Sequence, residues 1–239
     1  ASWPWPIRIR AFGEFTVEID NEPVRFKAKA QRKPLDLLKT IVAGGGRAVP
    51  DTRLTQALWP DAEGDAAQQA LATTLHRLRK LLGDEEAIEV ESRALSLNPA
   101  RVWVDALAFE RLAAAKDPAA RAAAADLYRG AFLGSEEAAW ALGTRERLRA
   151  KFLRLARDLG ESHERAGDWS GARATYERAL EADNLVEELH RRLMRCHLRL
   201  GQRAEALAAY RRCREVLSVV LGLQPAAETQ ALYREIREN

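Results

Sequence analysis

Between Ala66 and Gly83 the chain carries Gln69, Thr73, His76, Arg77 and Lys80, and that stretch holds no acidic residue. At 100° per residue these five side chains share one side of a helix, opposite a stripe of Leu71, Leu75, Leu78 and Leu82 that must face a core. Their types suit recognition of a polyanion. Gln bonds adenine through two atoms, Arg bonds guanine likewise, Thr touches a thymine methyl or a phosphate, and Lys neutralises phosphate. A helix face that only meets water usually interleaves Glu or Asp with its cations. The acid-free run therefore points to nucleic acid, and a plain solvated cationic face is the alternative it outweighs.

Other residues with chemical potential lead elsewhere. Gly44-Gly45-Gly46-Arg47 lacks the Gly-Lys-Ser/Thr that would hold a nucleotide and its magnesium, so it reads as a turn between helices. His190 and His197 lie seven apart beside Cys196, whereas a metal site wants ligands at i and i+4 or paired cysteines; the histidines read as packing between helices. There is no Gly-x-Ser-x-Gly, and scattered carboxylates have basic neighbours, as Glu177 has Arg173. The expectation is a protein that is not an enzyme and needs no metal or cofactor.

The elements that must position the candidate face follow from periodicity. Ile7-Arg8-Ile9-Arg10 and Phe15 to Ile19 alternate, then the turn Asp20-Asn21-Glu22-Pro23 leads to Val24-Arg25-Phe26-Lys27, a small antiparallel sheet. Leu35, Leu37, Leu38, Ile41 and Val42 form a helical stripe ending at the glycines. Asp51 stands as N-cap of a second helix that runs to Trp59-Pro60, and Asp65 as N-cap of a third that ends at Gly83. Ala87 to Glu91 and Ala94 to Leu97 flank Ser92-Arg93 as a hairpin. Sheet, three helices and a two-stranded wing is the plan of a winged helix-turn-helix, whose third helix, here 65–83, enters a major groove. Arg32 and Lys33 then open the first helix, and Thr52 and Arg53 the second, where helix N-termini favour phosphate. Arg93, at the hairpin tip, is placed for an adjacent minor groove. Asp84, Glu85, Glu86, Glu89 and Glu91 repel phosphate, so that side of the wing is expected to face away from DNA.

From Asp105 on, the texture is helical throughout, with Asp117-Pro118 a capped helix start. Gly167, Ala172 and Tyr176 recur as Gly201, Ala206 and Tyr210; Leu159 pairs with Leu193 and His163 with His197 in the same register. That 34-residue period is the period of tetratricopeptide helix pairs. Asn184 stands where such a repeat places its terminal proline.

The chain has 239 residues, 38 basic and 35 acidic. The charge is too balanced to announce a nucleic-acid binder, yet residues 25–80 hold 11 basic and 5 acidic groups, and residues 1–100 hold 14 of each. The basic reading helix is offset by the acids after Gly83. Two cysteines without paired spacing point to a reducing compartment, with cytoplasm the default, and no segment reaches the ~18 apolar residues of a membrane span. A start at Ala1 with no initiating Met suggests a piece of a longer chain.

The run Gln31 to Leu38, then Val49 to Leu54, Ala57-Leu58-Trp59-Pro60-Asp61 and Leu75 to Gly83, resembles the OmpR-like winged helix of the Streptomyces antibiotic regulatory proteins. Trp103-Val104-Asp105, Phe109, Tyr128 to Phe132, Trp140, Arg145, Glu187, Leu193-Met194, Leu221-Gly222, Pro225, Glu228-Thr229 and Leu232-Tyr233 are similar to the bacterial transcriptional activator domain that follows it. The wing departs from the pattern, with Ala94-Leu95-Ser96-Leu97 in place of a Gly-Tyr-x-Leu ending. The resemblance implies a mainly α chain: an OmpR-like winged-helix DNA-binding domain over 1–104 and an all-α tetratricopeptide-like activator domain over 105–239. It implies a sequence-specific activator that binds promoter repeats in double-stranded DNA, as a homo-oligomer on direct repeats, and meets RNA polymerase. Family phosphate contacts fall on Arg32, Thr52 and Arg93, and base-facing positions on Gln69, Thr73, His76 and Arg77. The alternative is a tetratricopeptide adaptor whose winged helix does not bind DNA.

Overall fold

Alternation buries Ile7 and Ile9 completely on β1 (Ile7–Arg10), which pairs antiparallel with β2 (Thr16–Ile19) so that Ile9 faces Val17. The computed structural model describes residues 4–24, 31–134 and 136–238. Asp20 and Asn21, both with left-handed backbone, make a two-residue turn into β3 (Glu22–Pro23). Pairing therefore begins two residues before the expected strand at Val24, because the turn uses two residues and not four; residues 25–30 of that expectation lie outside the described residues.

Helix α1 (Arg32–Ala43) buries Leu37, Leu38 and Ile41. The N–H groups of Gly44, Gly45 and Gly46 all donate to α1 carbonyls, of Thr40, Val42 and Ile41, so this glycine run closes a helix and has no amide left to cradle phosphate. Helix α2 (Asp51–Leu58) is preceded by Pro50, and α3 (Gly64–Leu82) by Glu63. The expected caps Asp51 and Asp65 are first-turn residues instead, and neither helix has a side-chain cap. Left-handed Gly83 ends α3 as expected.

The wing is a sheet of three strands, β4 (Val49–Pro50), β5 (Ile88–Glu91) and β6 (Ala94–Leu97), in the order β4-β6-β5. The hairpin stands where alternation placed it; the two residues of β4 are too few to show a period. A further strand, β7 (Val102–Val104), runs parallel to β1, so the first sheet has the order β3-β2-β1-β7 and is not purely antiparallel. Three residues whose partner lies some ninety positions away leave no local pattern.

Asp105 opens α4 (Asp105–Ala113), and its buried carboxylate accepts from the N–H groups of Ala11, Phe12 and Ala106 at 2.7, 3.1 and 2.7 Å. Phe12 then packs edge-on against Phe109 and beside Tyr128 at centroid distances of 5.4 and 4.8 Å. Asp117 caps α5 (Pro118–Leu127) by accepting from Ala119 and Ala120, as its sequence signal predicts. Arg145, on α6 (Ala139–Arg165), donates to the carbonyls of Phe132 and Glu136 and holds the loop before its own helix. Two compact units result, residues 1–148 and 149–239, dividing within α6.

The second unit continues with α7 (Trp169–Ala182), α8 (Glu187–Arg199), α9 (Arg203–Val216), a π-helical turn at Leu217–Leu221 and α10 (Ala227–Glu238). The 34-residue repeat is visible in packing. Ala172, Tyr176, Ala206 and Tyr210 are buried, and a Cβ on Gly160 would overlap the Tyr176 ring, so glycine lets α6 and α7 close on the aromatic. The paired histidines tie each helix end to the next helix start: Nδ1 of His163 donates to Asp168 at 2.8 Å, and Nδ1 of His197 to Gln202 at 2.9 Å. His190 and His197 are buried in α8, as expected of packing between helices, whereas His163 is partly exposed. The two aromatics differ in partner. Tyr176 donates to Glu164, whereas Tyr210 stacks on Tyr233 at 4.1 Å.

Candidate nucleic-acid interface

Leu71, Leu75, Leu78 and Leu82 are all buried on α3, with Ala67 and Thr74 between them. The opposite side follows from that stripe, and Gln69, Thr73, His76, Arg77 and Lys80 are all exposed. The remaining cation of the helix, Arg79, turns the other way. Its Nη2 donates to the Ile88 carbonyl at 2.6 Å and its Nε lies 4.0 Å from Glu85, so it braces the base of the wing.

The first turns of α1 and α2 present Arg32, Thr52 and Arg53 as exposed residues beside N–H groups that no side chain caps. That arrangement suits an anion by both hydrogen bonding and helix dipole. Lys33 is engaged differently. Its Nζ donates to the Leu58 carbonyl at 2.8 Å and sits 5.5 Å from the centroid of the Trp59 ring, joining the start of α1 to the end of α2.

Arg93 stands at the tip of the wing with its side chain 74% exposed, and its Nε donates to Asp51 at 3.0 Å. A cavity of about 380 Å³ lies between α2, the start of α3 and this tip, with Thr52, Gln56, Gln68 and Arg93 among its lining residues. Gln56, Gln68 and Asp51 join this site only in the folded chain. Nothing in the helical period singles out Gln68 beside its neighbours, because its place is set by the loop between α2 and α3.

The acids after Gly83 are partly neutralised. Arg101 lies 3.6 Å from Asp84 and 2.7 Å from Glu86. Glu89 and Glu91 remain exposed on β5, an edge strand, around a half-exposed Val90.

Elsewhere the candidate chemistry is internal. Nε2 of buried His190 donates to the Asn184 carbonyl at 2.9 Å, and burial holds this imidazole below its usual range. Cys196 and Cys213 are buried free thiols, pushed up by burial to about 12 and about 11. Among the described residues no group of three or more His, Cys, Asp and Glu is placed to hold a metal ion, and no helix is long and apolar enough to cross a membrane.

A winged helix with an outward cationic third helix, followed by tetratricopeptide-like helix pairs, is the architecture of a transcriptional regulator. Comparison with known proteins agrees. The profile of the bacterial transcriptional activator domain matches residues 104–237, and the chain belongs to that family. The regulatory protein AfsR of Streptomyces griseus is 28% identical over 211 residues, covering 84% of this chain and 22% of AfsR. A solved structure of Mycobacterium tuberculosis EmbR, in complex with a low affinity phosphopeptide, superposes with a TM-score of 0.61 at 22% identity, over 98% of this chain and 65% of that one. The chain therefore spans less than two thirds of either relative, and the EmbR likeness is one of fold.

Proposed function

We propose that this chain is the DNA-binding and activating part of a cytoplasmic transcriptional regulator, with residues 1–104 contacting promoter DNA and residues 105–239 assembling the protein or presenting it to RNA polymerase. One observation carries the reading: five side chains able to read bases or grip phosphate project from the exposed side of α3, on a stretch free of acids. Gln69, Thr73, His76 and Arg77 face base edges in the major groove, while Lys80, Arg32, Thr52 and Arg53 meet phosphates. Arg93 reaches the neighbouring minor groove. The role of the helical part rests on family membership alone.

Gel shifts with upstream fragments of the source genome, over a salt series, test the proposal. Selective retention of some fragments, weakening steeply with salt, is expected. Failure to shift any fragment at low salt overturns it in favour of a protein adaptor, and equal retention of all fragments, unaffected by Arg77→Ala, overturns sequence reading by α3.

A further inference from the structure

The wing tip contains a feature that DNA contact by Arg93 does not by itself require. Ser92 and Arg93 both adopt left-handed backbone, with φ of 48° and 63°. The other tight hairpin of the same unit solves the same turn with Asp20 and Asn21, types that tolerate this conformation. Ser-Arg is a poor choice for a turn of this kind, so something outside the turn must hold it. Asp51 does so twice. Its backbone N–H donates to the Arg93 carbonyl at 2.9 Å, and its carboxylate accepts from Arg93 Nε at 3.0 Å. The carboxylate side is 10% exposed, whereas the arginine side chain is 74% exposed. One end of the pair is therefore anchored in the body of the winged helix and the other stands in solvent.

We propose that Asp51 is the positioning residue for Arg93: it clamps the wing tip to the start of α2 and aims the guanidinium at DNA. This rests on the reading of Arg93 as a DNA contact. Bonding through Nε fixes the plane of the guanidinium and leaves the edge formed by its two terminal nitrogens directed away from the anchoring carboxylate. An arginine so held loses less side-chain freedom on binding than an unanchored one, which is where the affinity gain arises. It also explains why an acidic residue is tolerated beside Thr52 and Arg53 at a phosphate-facing helix start. Its charge is matched within the protein, so the phosphate meets the arginine.

The test is a double-mutant cycle on the full chain, using fluorescence anisotropy with a retained promoter fragment over a salt series. Arg93→Ala is expected to weaken binding by roughly five- to tenfold and lower the salt slope by about one. Asp51→Ala, which leaves no acceptor for Arg93 Nε, is expected to weaken binding about as much, and the double variant no further than Arg93→Ala alone, while Asp51→Asn, whose amide oxygen still accepts from Nε, recovers part of the affinity. Thermal unfolding of each protein confirms that all are folded at the assay temperature. Wild-type affinity for Asp51→Ala beside a weakened Arg93→Ala overturns the positioning role while leaving the DNA contact intact. Tighter binding by Asp51→Ala overturns it by showing that the carboxylate holds Arg93 back, and additive losses overturn it by showing independent roles. An unchanged Arg93→Ala removes the contact itself, and so refutes that part of the proposed interface along with the clamp.

Discussion

Asp105 joins the first sheet to the helical region, and its removal should be among the most damaging changes in the chain. Its carboxylate, on a residue only 5% exposed, is the partner of three backbone N–H groups, two of them on Ala11 and Phe12, themselves 0% and 4% exposed. Asp105→Ala leaves three buried donors without their acceptor. One buried donor costs roughly 1–3 kcal/mol, and water admitted by the smaller side chain offsets part of the sum, giving about 3–5 kcal/mol. At about 2–4 °C per kcal/mol for a chain of this size, the unfolding midpoint falls by on the order of 10 °C. Asp105→Asn keeps the oxygen that serves Ala11 and Ala106 but turns an NH2 toward Phe12, so it costs roughly 1–3 kcal/mol. The pH dependence has a definite sign. Burial raises the Asp105 carboxyl above its ordinary value against the three hydrogen bonds. The folded state then holds its proton to higher pH than the unfolded state, and this group's contribution falls as pH rises from the ordinary carboxyl value through the raised one. Urea unfolding of wild type, Asp105→Asn and Asp105→Ala between pH 4 and 7 measures both effects. The gap between wild type and Ala should narrow as pH rises. Wild-type stability in Asp105→Ala, or Asn more damaging than Ala, would refute the reasoning; a gap that widens with pH would show that the hydrogen bonds, not burial, set the carboxyl's pKa.

Three further outcomes are expected. Arg77→Ala should cost ~1–3 kcal/mol of promoter affinity and relax base preference at one position, while Arg32→Ala weakens all sequences alike and lowers the salt slope by about one; anisotropy titrations on matched and altered fragments separate the two. Gly160→Ala gains at most ~1 kcal/mol of helix propensity but forces the Tyr176 ring away from its bond to Glu164, so thermal unfolding should show a net loss of roughly 1–3 kcal/mol. Lys33→Met removes the bond to Leu58 and the contact with Trp59, lowering stability by ~0.5–1.5 kcal/mol with no change in the salt slope; a reduced slope would place Lys33 on DNA after all.

Periodicity by itself determined the three helices of the winged helix, the hairpin, the tetratricopeptide register and the outward face of α3. In each, the deciding pattern lies within a few turns or strands, so that burying Leu71, Leu75, Leu78 and Leu82 leaves Gln69, Thr73, His76, Arg77 and Lys80 nowhere to go but out. What required the tertiary structure were the partnerships between distant or short segments. β7 joins β1 across the length of the winged helix, and β4 is two residues long. The different fates of chemically similar cations were equally invisible. Arg77 and Arg79 are near neighbours on one helix, and Arg32 and Lys33 are adjacent. Yet Arg79 braces the wing and Lys33 bridges two helices, because a carbonyl from another element lies within reach of each. The clamp between Asp51 and Arg93 is of the same kind: residue type announces a charge, but only the folded chain decides which charge meets it.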